Sequence, residues 1–144
     1  MSKPGYEFLP HTTDAYIAAT GATLEEAFEW AGTALFDVMC NVKSISPKLT
    51  EEVKVKGADE VTLLYDWLES LLLRFELERK VYSKFEFAPL TRLANGISGT
   101  ARISGEEYDR ALHGSKVEVK AVTYHRMEIV LKDSTTTVKF ILDL

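Results

Sequence analysis

At 144 residues the chain is long enough to bury one sizeable core and short for two, so a single domain over residues 1–144 is expected. Its 46% apolar and 27% charged residues exclude a disordered or fibrous chain. A formal charge of -5 excludes tight non-specific binding of nucleic acid, because that affinity comes from Lys and Arg releasing counterions from phosphates; any RNA is expected to be held mainly by a partner. No apolar run approaches the roughly 18 residues of a membrane span. The stretch up to Pro10 joins only Phe8 and Leu9, unlike a signal-peptide core, so the protein is expected to stay in the cytoplasm. Cys40 is the single cysteine; it admits no internal disulfide and sits in a helical pattern as a packed thiol.

In chain order, Tyr6–Leu9 and Tyr16–Ala19 read as extended segments. Thr23 then opens a helix, with Glu26 at capping-box distance. Leu24, Ala27, Phe28, Ala31, Ala34, Leu35 and Val38 recur at steps of three and four, one apolar stripe able to cover a sheet. Thr50–Lys56 alternates Val53 and Val55 with charged residues, the pattern of a strand with one wet face. Asp59 is the expected N-cap of a second helix whose stripe runs through Val61, Leu64, Leu68, Leu71, Leu72 and Phe75, widened by Leu63 and Trp67. Five strands are expected to follow, over 81–87, 97–103, 117–124, 127–132 and 136–142, with turns at Asn95-Gly96, Gly105, Gly114 and 132–134. Two amphipathic helices among about seven strands without regular alternation give an α+β class, a two-layer sandwich of a mainly antiparallel sheet carrying both helices.

Candidate chemistry concentrates at three places. His11-Thr12-Thr13-Asp14 gathers an imidazole, two hydroxyls and a carboxylate in one turn; it suits a metal, and equally the local backbone bonds that Asx and Ser/Thr turns make. Asp143 follows an apolar strand, and beside it Leu144 adds carboxyl oxygens suited to hard cations such as calcium or magnesium; a solvated acidic terminus is the plain alternative. Alternation along 117–125 puts Lys120 and Tyr124 on one face and His125 on the other, which allows the first two to act together or simply to cover apolar surface. There is no Gly-rich phosphate loop, zinc spacing, nucleophile elbow or His-Glu-x-x-His helix; Gly99 and Gly105 are expected to serve turns and a bulge.

Read together, Tyr6-Glu7-Phe8-Leu9-Pro10-His11-Thr12-Thr13-Asp14, Thr23-Leu24-Glu25-Glu26-Ala27-Phe28, Leu64-Tyr65-Asp66-Trp67-Leu68, Gly105-Glu106, Val119-Lys120-Ala121-Val122-Thr123-Tyr124-His125 and Ile141-Leu142-Asp143-Leu144 resemble the archease family over essentially the whole chain. The family more usually has Ala at the place of Thr13 and often an aromatic near Thr136. The resemblance implies a non-catalytic accessory factor of the RtcB-type, GTP-dependent ligase that joins tRNA exon halves, one that promotes guanylylation of the ligase histidine and multiple turnover. It also implies a chaperone-like role toward a tRNA cytosine-5 methyltransferase. It carries a metal site, with calcium the expected ion, onto Asp14, Asp143 and an oxygen of Leu144, and a functional role onto Lys120; His11, Tyr124 and His125 stand as further partner-facing candidates. A metal-dependent hydrolase using the same carboxylates, with His11 or His125 as base, is the rival reading; no general base of defined geometry accompanies it.

Overall fold

The computed structural model describes residues 4–10 and 14–144, and its strands are shared between two antiparallel sheets where the sequence suggested one. Along the chain come β1 (Gly5–Leu9), β2 (Ala15–Gly21), α1 (Leu24–Met39), a 3-10 turn (Val42–Ser44), β3 (Leu49–Gly57) and α2 (Glu60–Glu78). Then follow β4 (Lys80–Phe87), β5 (Thr91–Leu93), β6 (Gly96–Glu107), α3 (Arg110–His113), β7 (Ala121–Lys132) and β8 (Thr135–Asp143). One sheet has the order β1-β2-β8-β7; the other has β3-β6-β4, with β5 also paired to β6. The chain is thus α+β, as its element pattern indicates.

The helix starts follow from local chemistry. Thr23 accepts the Glu26 N–H at 3.1 Å, and the Glu26 carboxylate reaches back, but to the Ala22 N–H (2.7 Å) and not to that of the cap residue. Asp59 makes the fully reciprocal box with Thr62. α2 ends without glycine: Arg79 takes the left-handed conformation (φ 52°) and its N–H bonds the Phe75 carbonyl.

Both long helices touch strands of both sheets, α1 against β1, β2, β8 and β4, and α2 against β3, β4, β6 and β7. This explains why α1 is buried over more than one narrow stripe, with Phe36 and Met39 buried along with Phe28, Ala31 and Leu35. α1 packs on β2, and both contribute small buried residues to the core, Ala19 from β2 and Ala27 and Ala31 from α1. Trp67 sits at the centre with 0% exposure, its indole N–H donating to the Phe28 carbonyl at 2.8 Å and its ring edge-on to Phe85 and Phe87. Burying about 200 Å² of indole is worth about 5 kcal/mol before the hydrogen bond is counted.

Several expected boundaries move. The segments expected as strands over 117–124 and 127–132 form one strand, β7, which starts only at Ala121. Residues Lys116 and Val117 instead bond the end of α1, through the Met39 and Val38 carbonyls, so 117–120 lies outside the ladder. Gly105 is no turn; it lies inside β6, where an added Cβ would sit 1.8 Å from the Val81 carbonyl oxygen, and the bulge lies across from it in β4, between Tyr82 and Lys84. The expected turn at Asn95-Gly96 shifts by one residue: β5 and β6 are joined through Ala94-Asn95, and Gly96 begins β6 opposite Leu93. The two elements absent from the expectation, β5 and α3, are three and four residues long. No helix among the described residues is long and apolar enough to cross a membrane.

Candidate functional site

β8 runs through the interior of its sheet, flanked by β2 and β7, so whatever lies at its end has neighbours on both sides. The last pairs are Ala15↔Leu142 on one side and Ala121↔Asp143 on the other. One step beyond them the antiparallel register sets position 14 across from position 143, and the Lys120 N–H donates to the Asp143 carbonyl at 2.8 Å. Asp14, Lys120, Asp143 and Leu144, drawn from three separate stretches of sequence, therefore meet at one end of one sheet. Leu142 is fully buried, so alternation turns Asp143 to the opposite face, and it is exposed. Directly paired positions share a face, and Tyr16, Ile141 and Thr123 form the next row on that same side.

The donor chemistry at this tip is hard oxygen: two carboxylates and a main-chain or carboxyl oxygen of Leu144, a set that fits calcium or magnesium and not zinc or copper. No cluster of three or more His, Cys, Asp or Glu able to hold a metal occurs among the described residues. His11 and Thr13 lie outside the described residues.

β7 passes the tip with a large irregularity. Between Thr123↔Ile141 and Glu128↔Lys139 it has four residues, Tyr124 to Met127, where β8 has only Phe140. Arg126 adopts a left-handed φ of 56° within it. The displaced side chains go to different neighbours. Tyr124 stacks on Tyr65 of α2 with centroids 4.2 Å apart and planes 8° from parallel. The His125 N–H is taken by the Thr123 hydroxyl at 2.8 Å, and the Arg126 guanidinium lies 5.8 Å from the ring centre of Tyr16, in the row next to the carboxylates. Lys120 and Tyr124 do not form one constellation: Tyr124 meets the first half of α2, while Lys120 lines a groove with Phe75, Glu76 and Arg79 at the other end of that helix.

A second cluster has no counterpart in the expectations. His113, at 0% exposure, places Nε2 2.7 Å from Glu106 Oε2, and its Nδ1 accepts the Asp109 N–H at 2.9 Å. An Nδ1 that accepts leaves Nε2 carrying the proton, so the ring donates to the carboxylate. Glu106 also accepts the Ser46 N–H at 2.8 Å and pairs with Lys48 at 3.4 Å. The Ser46 amide first, then His113 and Lys48, hold its carboxyl down at about 2 against partial desolvation. The arrangement fastens α3 to the 3-10 region. Its sequence signal is Asp109 followed by Gly114, a cap at each end of a very short helix.

Comparisons with known proteins bear on the family and the fold. The family described as the archease protein family (MTH1598/TM1083) matches residues 6–144. A protein named archease from Sulfurisphaera tokodaii is 39% identical over 139 residues, covering 96% of this chain and 98% of its own length. One from Thermococcus kodakarensis is 40% identical over 140 residues with the same shares. Among solved structures, the solution structure of Methanobacterium thermoautotrophicum protein 1598 superposes with a TM-score of 0.83 at 36% identity, covering 97% of this chain and 99% of that one. The crystal structure of a Thermotoga maritima archease, described as a possible chaperone, shares the fold at a TM-score of 0.60 and 19% identity, over 100% of this chain and 98% of that one. The chain belongs to the archease family.

Proposed function

We propose that this protein is a non-catalytic activator of an RtcB-type RNA ligase, promoting guanylylation of the ligase histidine during tRNA exon joining in the cytoplasm. The observation that carries this reading is the convergence of Asp14, Asp143 and Lys120 at one end of the sheet, the same residues onto which the archease resemblance carries a metal site and a functional lysine. In this reading Asp14, Asp143 and an oxygen of Leu144 hold a divalent cation, calcium in first place, which supplies positive charge for polarising or positioning phosphate oxygens. Calcium takes six to eight oxygens, so this donor set leaves positions for water or for a group of the partner. An incomplete shell suits a site that works in a complex, and the carboxylates need only hold charge and orient it; proton transfer and nucleophilic attack belong to the ligase.

The test is a single-turnover guanylylation assay of the cognate ligase with and without this protein. Wild-type protein should accelerate guanylylation, and Asp14→Ala and Asp143→Ala should each abolish the acceleration while circular dichroism and melting stay unchanged. Full stimulation by either purified variant sinks the metal-site mechanism. Stimulation of a tRNA cytosine-5 methyltransferase, with none of the ligase, would move the assignment to the chaperone-like role.

A further inference from the structure

We propose that the groove between the end of α2, α3 and the 115–120 segment is a binding site for a nucleoside phosphate. Its volume of about 850 Å³ falls within the range of small-molecule sites. Arg79, Arg110 and Lys120 line it, each from a different element. None of the three is in an ion pair among the described residues, whereas nearby Lys48, Lys80 and Lys116 all are. Three unpaired cations converging on one groove run against a chain with 22 acidic and 17 basic residues.

The backbone carrying each cation is held in place, and at Arg79 the side chain is held as well. Arg79 has its guanidinium 5.1 Å from the Phe75 ring centre, and its carbonyl accepts the Tyr108 N–H at 2.7 Å. Arg110 starts the helix that the His113–Glu106 contact fastens, and the Lys120 backbone is bound to Asp143. A fixed backbone at all three positions lowers part of the ordering cost of binding, and guanidinium groups match phosphate oxygens in pairs.

The remaining polar lining selects among phosphates. Glu76, Glu118 and the Ser115 hydroxyl share the groove. Two carboxylates disfavour inorganic polyphosphate or a long polyanion, yet they accept hydrogen bonds from ligand donors. A single phosphate on a body rich in hydroxyl and N–H donors fits both sets of groups, and a mononucleotide has that composition. The phosphate belongs with the three cations, and the sugar and base donors with the two glutamates.

This inference stands apart from the ligase reading, because it concerns the isolated protein and needs neither metal nor partner. The experiment is calorimetric titration of the intact protein with GMP, AMP, ribose 5-phosphate and inorganic phosphate, in chelator. A mononucleotide should bind more tightly than inorganic phosphate. Arg110→Glu and Lys120→Ala should each weaken it by roughly ten- to hundredfold, the usual worth of a charged hydrogen bond. Arg110→Gln, which keeps side-chain length, should weaken it as well, and Asp14→Ala should leave it unchanged. Absence of mononucleotide binding at millimolar concentration, an affinity indifferent to Arg110→Glu, or inorganic phosphate binding as tightly as either mononucleotide would overturn the proposal. Loss of ligase stimulation with nucleotide binding intact, or the reverse, separates the fates of the two readings.

Discussion

Replacing His113 with Ala probes the clamp that holds one wall of the groove. The ring has 0% exposure and makes two bonds, from Nε2 to Glu106 at 2.7 Å and from the Asp109 N–H to Nδ1 at 2.9 Å. Truncation strands the Asp109 amide, a loss of about 1–3 kcal/mol, and empties a ring-sized space, which in buried aromatic truncations costs about 3–5 kcal/mol at the upper end. A polar ring gains less from burial than Phe, so the total expected is about 3–5 kcal/mol. The segment has other anchors, the His113 carbonyl to Asn41 (2.8 Å) and the Lys116 N–H to Met39 (2.9 Å), so part of the loss should appear as local opening. The assay is urea unfolding combined with amide exchange, with protection lost at residues 111–114 before the core. His113→Gln keeps a donor for Glu106, and His113→Asn keeps an acceptor for Asp109; each should recover about half of the loss. A cost under about 1 kcal/mol for the Ala variant, with exchange unchanged, would refute the clamp, because no buried donor lost with its ring costs so little. Equal cost for all three variants would show that volume, not the two bonds, holds α3.

Two further outcomes follow from single contacts. Glu106, with its carboxyl held at about 2 in the folded state chiefly by the Ser46 amide, contributes stability that is fully present above the ordinary carboxylate value of 4.5 and is lost as pH falls toward 2. Melting temperature against pH should therefore fall more steeply between those values for the wild type than for Glu106→Gln, and parallel curves would remove Glu106 from the acid response. Gly105→Ala would push a methyl to 1.8 Å from the Val81 carbonyl oxygen, so β4 and β6 must part locally; a loss above about 4 kcal/mol in urea unfolding is expected, and a loss under about 1 kcal/mol would contradict the close approach.

What was legible in the sequence was local. Thr23 and Asp59 mark helix starts through bonds made within three residues, and the alternation of Val53 and Val55 reports one wet face without knowledge of the partner strand. The division into two sheets was not legible, since Val53 carries the same pattern whichever strand lies beside it. The β7 irregularity was hidden for a different reason: Arg126 takes a left-handed φ with no glycine or asparagine to flag it, so two predicted strands merged into one interrupted strand. α3, at four residues, spans barely one helical turn and cannot show a repeating apolar stripe, so only its flanking Asp109 and Gly114 betray it. At the candidate site, chemistry alone offered Asp14 and Asp143 as separate weak ligands. Family resemblance joined them, and the β2–β8 register is the physical arrangement compatible with that joining.

Lys120 is where the two candidate sites touch, and this limits what its removal alone can teach. Its N–H is bound to the Asp143 carbonyl, at the carboxylate tip, and the residue also lines the groove with Arg79 and Arg110. A functional defect of Lys120→Ala fits loss of a charge beside a metal-bound phosphate as well as loss of a phosphate ligand in the groove, because one ammonium serves both descriptions. Asp14 and Arg110 do not share this ambiguity. Asp14 belongs to the tip through the β2 register and does not line the groove, and Arg110 lines the groove from α3, which pairs with no strand of the sheet carrying the tip. If the tip and the groove act on one ligand, the defects of these two residues must fall on the same step of ligase activation. If they act on different ligands, the defects must separate, and Lys120 alone will report on both.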